Sequence, residues 1–284
     1  MAEGYYFIIN PAAGRGKKLS FLSELTRLCQ NQQVSFQTAI TKRPRQAIEL
    51  ARQAVGSYEI IVAVGGDGTV NEVANGIMGS DARLGMLPTG TGNDMAHQLG
   101  YSRNLKKDMQ ILFRSMSKTI DTGLVNGSRC YVNGFGIGFD GETARGVRAM
   151  IKHIGGFPAY VAAILRTLIT YRVKPMQIMF DSEPYQQVQP FLFAVCNGTT
   201  YGGGFQVAPS AKMDDGLFTT CLVDRVSRWY AARHLPLFLR GQHVRLPEVH
   251  MRTARRVRIH ADKRHIAQID GEILSGQEQY DIKV

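Results

Sequence analysis

Acidic residues, cysteines, tryptophan and long apolar runs are all scarce in this 284-residue chain, and each scarcity closes off a class of protein. Asp plus Glu number 23 against 34 Lys plus Arg, a formal charge of +11. That balance turns the protein toward anionic partners, whether nucleotides, nucleic acid or an anionic membrane face, without choosing among them. The four cysteines, Cys29, Cys130, Cys196 and Cys221, lie far apart, with no C-x-x-C pair or Cys/His cluster. This argues against a zinc site and a disulfide frame, and it fits a reducing cytoplasm. The longest tempting apolar run, Phe157 to Leu165, stops at Arg166 and is too short to span a bilayer. The opening MAEGYYFIIN lacks the basic start and long apolar core of a secretory leader, so any membrane role is expected at the surface. No internal repeat or low-complexity linker stands out. The 44% apolar content is that of a globular protein with room for one large or two moderate domains.

What is present centres on Glu59 to Met78, EIIVAVGGDGTVNEVANGIM. Ile60 to Val64 is an apolar, β-branched run that reads as a buried strand. It breaks at Gly65-Gly66-Asp67-Gly68, and Thr69 with Glu72 fits the T-x-x-E box that opens a helix. Glycines let a ligand approach the backbone, and a helix N-terminus offers N–H groups to phosphate. Asp67 would repel a bare phosphate. A bridging Mg²⁺ accounts for it, and so does an ordinary turn with a solvated aspartate.

Two further segments share this plan. Tyr5 to Ile9 is a short strand running into Asn10-Pro11-Ala12-Ala13-Gly14-Arg15-Gly16-Lys17-Lys18. It is not a Walker loop, because Pro11 occupies the required glycine position and no Ser or Thr follows Lys17. Leu84 to Leu87 runs into Pro88-Thr89-Gly90-Thr91-Gly92-Asn93-Asp94, with Asn93 or Asp94 as the expected cap of a helix from Met95. Helical spacing over 19–31 and 44–55, with a strand over 34–40, completes an alternating β/α pattern. Such alternation predicts a doubly wound parallel sheet with ligand loops at the carboxyl ends of its strands.

Beyond Asp121 the character changes. Short alternating runs at 130–137, 176–180, 191–195, 217–223 and 257–261 predict a second, largely antiparallel domain. Helical stretches at 142–172, broken near Gly155-Gly156, and at 227–240 interrupt it. The expected division is 1–123 and 124–284.

GGDGTVNEVANGI followed by LPTGTGNDMAHQLG resembles the diacylglycerol kinase catalytic-domain family of soluble bacterial lipid kinases. IINPAAGRGK, TIDTG at 119–123, KMDDGLF at 212–218 and IDGE at 269–272 agree with that family in the same order. GGDGT alone is shared with NAD kinases; PTGTGND separates the lipid kinases from them. The resemblance implies an N-terminal α/β nucleotide domain and a C-terminal β-sandwich-like domain with a few helices, whose last strand returns to the first domain in some members. It implies transfer of the γ-phosphoryl group of ATP to a lipid hydroxyl.

The residue roles that follow are also implied by the resemblance. Gly65, Gly66, Gly68, Thr69 and Val70 would cradle the triphosphate, Asp67 would hold Mg²⁺ directly or through water, and Asn71 would add a polar contact. Asn10, Pro11, Ala12, Ala13, Gly14, Thr41 and Thr91 match further nucleotide positions. Glu272 would be the general base, with Asp270 orienting the site. Asp94 and Asp121 would form a polar network with a lysine for which Lys152 is the candidate. Asp215, with the carbonyls of Lys212 and Leu217, would form a second metal site, oxygen-only and so suited to Mg²⁺ or Ca²⁺.

The partner expected is a lipid substrate at an anionic membrane surface, which makes the protein cytoplasmic and peripherally membrane-associated, with a homodimer open. Ser227 to His243 holds the single Trp229 among apolar residues and arginines; an interfacial segment and a core helix broken at Pro236 both fit. Arg252, Arg255, Arg256 and Arg258 form a basic patch that would meet lipid headgroups or water. An NAD kinase-like phosphotransferase and a non-catalytic nucleotide- or lipid-binding protein are the rivals. A nucleic-acid binder rests on charge alone, with no recognised module.

Overall fold

The computed structural model describes residues 4–13, 18–114, 116–150 and 156–284. The chain divides into two compact units, Met1–Thr119 and Ile120–Val284.

In the first unit the alternation anticipated from sequence is realised. Its elements are β1 (Tyr5–Ile9), α1 (Lys18–Asn31), β2 (Phe36–Ile40), α2 (Gln46–Ala54), β3 (Ile60–Gly65), α3 (Asp67–Ile77), β4 (Arg83–Pro88), α4 (Asp94–Gln98) and α5 (Leu105–Phe113). The four strands form a parallel sheet in the order β2-β1-β3-β4. All six residues of β3 are buried, which is why this strand reads as an unbroken apolar run rather than an alternating one. The register sets Ile9 beside Val64 and Val64 beside Leu87. The three strands therefore end level, and the loops after β1, β3 and β4 leave the same edge of the sheet.

The second unit contains β5 (Gly123–Val125), β6 (Arg129–Tyr131), β7 (Gly134–Gly138), α6 (Phe139–Met150), α7 (Gly156–Thr170), β8 (Met176–Phe180), β9 (Gln186–Val188), β10 (Leu192–Cys196), β11 (Phe218–Val223), α8 (Arg228–Phe238), β12 (Val249–Ala254), β13 (Arg256–Ala261), β14 (Ala267–Ile269), β15 (Glu272–Leu274) and β16 (Gln279–Lys283). Two antiparallel six-stranded sheets result, ordered β12-β11-β10-β7-β14-β15 and β6-β5-β16-β13-β8-β9. Phe135, Ile137, Phe193 and Val195 of the first interlock with Ile178, Val257, Ile259 and Ile282 of the second, so the sheets share one core as a sandwich does. Ile164, Leu168 and Tyr171 at α7 pack with Ala194, Cys196, Cys221 and Val223 on the other face of the first sheet. All four cysteines are buried and free.

Two expectations are corrected here. The run 130–137 is not one strand, because β6 and β7 belong to different sheets. The chain turns at Val132-Asn133, where the Asp270 carboxylate accepts the backbone N–H of Val132, Asn133 and Gly134 at 2.7, 3.0 and 2.9 Å. Nor does the last strand return to the first unit. β16 pairs with β13 and β5, inside the second.

Candidate nucleotide and phosphoryl-transfer site

In the first unit the three loops bond to one another. The backbone N–H of Asn10 donates to Val64 O at 2.9 Å, and its Nδ2 donates to Thr69 Oγ1 at 3.0 Å. Its Oδ1 accepts the N–H of Ala12 at 3.0 Å, closing the Asn10–Ala13 turn. Thr41 is buried, with its N–H on Ile9 O at 2.9 Å, which ties the end of β2 to the same edge. A Cβ placed on Gly90 would lie 2.4 Å from Gly66 Cα, so the loops after β3 and β4 touch backbone to backbone and only glycine fits there.

Asp67 does something the sequence did not announce. Its Oδ2 accepts the N–H of Asn93 at 2.7 Å and its Oδ1 that of Met95 at 3.3 Å. Asn93 takes the N-cap position of α4 as expected, but the side chain that accepts the N–H groups there is Asp67, from the neighbouring loop. Asn93 sits in the left-handed region (φ 59°) and spends its side chain on its own loop, accepting from Gly90 N–H and donating to Gly90 O. Burial pushes the Asp67 carboxyl above its ordinary range, while the backbone N–H groups of Met95, Asn93, Asp67 and Asp94 pull it down.

The expected capping box does not form. Helix α3 begins at Asp67, so Thr69 lies inside its first turn and accepts from Asn10 instead. The Glu72 carboxylate accepts the N–H of Arg45 and Ala47, each at 3.2 Å, and so caps α2. No side chain caps α3 itself, whose N-terminus opens on Gly66 with Gly68 exposed. An uncapped N-terminus of this kind can receive an anion. Val70 and Asn71 are buried, and Asn71 accepts from Asn75 Nδ2 within the helix. Thr91 is exposed. Gly14 and Lys152 lie outside the described residues.

In the second unit, Glu272 opens β15 after a turn whose residues Asp270 and Gly271 have φ 45° and 83°. Left-handed values at both positions are those of a two-residue hairpin turn, and they select Asp-Gly. Glu272 pairs with Arg129. Asp270 is committed to the three N–H groups at 132–134 and holds the turn rather than offering a base. Gln268 accepts the N–H of Gly271 at 2.7 Å and donates to Asp140 Oδ2 at 2.8 Å, and Tyr201 OH donates to the same oxygen at 3.0 Å. The hairpin that carries Glu272 is thus braced on Asp140, whose carboxyl burial pushes above its ordinary range. A Cβ on Gly136 would lie 1.5 Å from that oxygen, so glycine at 136 makes room for Asp140. Arg129, Asp140, Tyr201 and Gln268 escaped the sequence reading. An acid directly after the buried run 131–139 was the one available signal.

Asp121 is bonded to the 212–218 motif of this unit. Its Oδ2 accepts the N–H of Gly216 at 2.8 Å, its own N–H donates to Met213 O at 2.6 Å, and Asn197 Nδ2 donates to its carbonyl at 2.7 Å. The structure therefore brings Asp121 to the 212–217 turn. Lys212 and Asp215 are exposed, and Asp215 Oδ1 accepts the Leu217 N–H at 3.1 Å. Asp94 is buried in the first unit.

The basic patch is half neutralised, two acids meeting three of its four arginines. Arg252 pairs with Glu183 and lies 4.5 Å over the Phe180 ring, and Arg256 and Arg258 both face Asp281. Helix α8 runs unbroken through Pro236, with no fully buried residue and Trp229 87% exposed.

Comparison with known proteins gives this geometry a context. Residues 4–125 match the diacylglycerol kinase catalytic domain, and residues 134–279 match the YegS C-terminal NAD kinase beta sandwich-like domain. The chain belongs to the diacylglycerol kinase catalytic-domain family. A Bacillus subtilis relative named diacylglycerol kinase is 29% identical over 271 residues, covering 93% of this chain and 88% of its own length. A Staphylococcus saprophyticus relative of the same name is 28% identical, covering 93% and 87%. Two crystal structures from Bacillus anthracis share the fold, with TM-scores of 0.80 and 0.72 at 22% and 21% identity; each covers 99% of this chain, with 94% and 93% of its own length matched.

The donors present bear on the metal expected in this family. Among the described residues no three His, Cys, Asp or Glu side chains gather as a metal site. Asp67 accepts one backbone N–H on each carboxylate oxygen and keeps a further lone pair on each, so its donor set fits Mg²⁺ held directly or through water.

Proposed function

We propose that the protein is an ATP-dependent lipid kinase, with diacylglycerol as the leading acceptor and phosphatidic acid as product. The observation that carries this reading is the meeting of three loops at one sheet edge, with Gly66 against Gly90 beside the uncapped N-terminus of α3. Backbone N–H groups without competing side chains suit a triphosphate, and positioning with charge neutralisation is most of what phosphoryl transfer needs. In the reaction a lipid hydroxyl oxygen bonds to the γ-phosphorus, the bond to the bridging oxygen breaks, and ADP leaves. The hydroxyl proton passes to Glu272, which Arg129 and the Asp140–Gln268 brace hold in place. Mg²⁺, when bound with ATP, neutralises charge on the phosphate oxygens.

The lipid surface is part of the same reading. No described helix is long and apolar enough to cross a membrane. On α7, Val161, Leu165 and Ile169 are 39, 54 and 67% exposed at four-residue spacing, which puts them on one face. That helix touches α8, where Trp229 is exposed. Neither helix contains an acidic residue, while Arg166, Arg228 and Arg233 do occur in them. Apolar ridges with arginines and no acids suit an anionic bilayer surface, so the protein is read as cytoplasmic and peripherally bound.

The test is labelled ATP with diacylglycerol, other hydroxylated lipids and NAD as acceptors. Glu272→Gln should fold and lower kcat by about 10²–10⁴-fold, the usual worth of a general base. Phosphorylation of NAD alone, or an active Glu272→Gln protein, would sink the proposal.

A further inference from the structure

Arg103 is outside every motif named above, yet it reaches the loop after β4. Its Nη2 donates to the carbonyl oxygens of both Gly90 and Thr91, the latter at 2.7 Å. The backbone at Arg103 is left-handed, φ 66°, a conformation a non-glycine residue holds only where its surroundings impose it. Those surroundings are visible. Buried Asp108 on α5 accepts from Ser102 N–H at 2.8 Å and from Ser102 Oγ at 3.1 Å. Asn104 Oδ1 caps α5 by accepting the Lys107 N–H at 3.2 Å. Residues 102 and 104 are thus both fixed to α5, and the arginine between them is aimed back at the 88–94 loop.

The loop is consequently held from two sides by opposite charges. Asp67 takes its N–H groups at Asn93 and Met95, and Arg103 takes its C=O groups at Gly90 and Thr91. Without Arg103 the Gly90 carbonyl would keep only the Asn93 Nδ2 donor and the Thr91 carbonyl would lose its guanidinium, and their partial negative charge would repel a triphosphate. A guanidinium on both of them removes that repulsion and fixes the loop before nucleotide arrives, so less ordering is left for binding to offset. We propose that Arg103 is a positioning residue for the nucleotide, which neutralises and anchors the Gly90–Thr91 carbonyls without contacting the reacting atoms. This rests on the reading of the first unit as the ATP site.

The experiment measures two things in wild type, Arg103→Ala and Arg103→Lys. One is backbone amide hydrogen exchange at 89–95 in nucleotide-free protein; the other is ATP affinity by calorimetry, with steady-state kinetics alongside. Arg103→Ala should speed exchange across the loop and raise Kd and KM for ATP about tenfold, the scale of lost charge-assisted bonds, with kcat within about twofold. Arg103→Lys should restore most of both, since one nitrogen makes both bonds and an ammonium can replace it. Unchanged exchange and affinity in Arg103→Ala would overturn the proposal, and so would a fall in kcat at constant KM, which would make Arg103 a transition-state contact. If Arg103→Ala fails to fold, Arg103→Met, which keeps the side chain's length and removes its charge and donors, decides between the same outcomes. Wild-type protein that binds no ATP would refute the nucleotide reading itself, while the exchange measurement still judges the anchor.

Discussion

Asp67 and Asn93 are 26 positions apart in sequence and 2.7 Å apart in space, joined by a backbone N–H and a carboxylate oxygen. That bond makes the aspartate of the second loop part of the third. It predicts that Asp67→Ala lowers the melting temperature of protein stripped of metal and nucleotide, by the equivalent of about 2 kcal/mol for lost charged hydrogen bonds. An aspartate serving only as a metal ligand would leave that melt unchanged.

Gly90→Ala should be worse than its size suggests. The added methyl would fall 2.4 Å from Gly66 Cα, where no flexible side chain can yield. The backbone must move, at about 1–3 kcal/mol, and the loops must separate. Calorimetry should find ATP binding weakened beyond detection while the second unit keeps its circular dichroism.

Much of this was legible in the chain. The placing of the loops after β1, β3 and β4 at one sheet edge follows from alternation, and β8, β10, β11 and β13 fall where period-two runs place them. What stayed hidden depends on partners distant in sequence. Glu72 looked like the closing residue of its own helix's box and caps α2 instead, because α3 starts two residues before Thr69. The 252–258 arginines looked like a free basic face because the two acids that meet three of them, Glu183 in the turn after β8 and Asp281 on β16, are distant in sequence. The 130–137 run looked continuous because nothing in it announces Asp270, which breaks it from more than 130 residues away.

Asp140 supplies a pH prediction. Its carboxyl is held above the ordinary value of 3.8 by burial, against the pull of bonds from Gln268 and Tyr201. The folded protein therefore keeps this proton where the unfolded chain has lost it. The associated stability is complete below the unfolded value and declines as pH rises through the raised one. Asp140→Asn retains an oxygen for both donors and removes the charge. It should melt higher than wild type at pH 8, by about 2–4 °C for each kcal/mol recovered, and show a flatter melt-versus-pH curve. Equal slopes in the two proteins would refute the assignment.

The α7 ridge is tested by Leu165→Ser with Ile169→Ser. Both side chains are more than half exposed, so the fold should stand. Co-sedimentation with phosphatidylglycerol vesicles should fall at least tenfold, given about 1.5–3 kcal/mol for each apolar side chain taken out of water. Added salt should weaken wild-type binding through the arginines. Activity on a dispersed short-chain acceptor should persist, and its loss would place these residues elsewhere than at a lipid surface.

The second unit opens on β5 and closes on β16, and these two strands lie side by side, with Asn126 and Asp281 exchanging bonds at 2.7 and 2.8 Å. Its first and last described strands are therefore neighbours in one sheet. A strand order with that neighbour relation can be permuted around its own circle with the β5–β16 pairing kept.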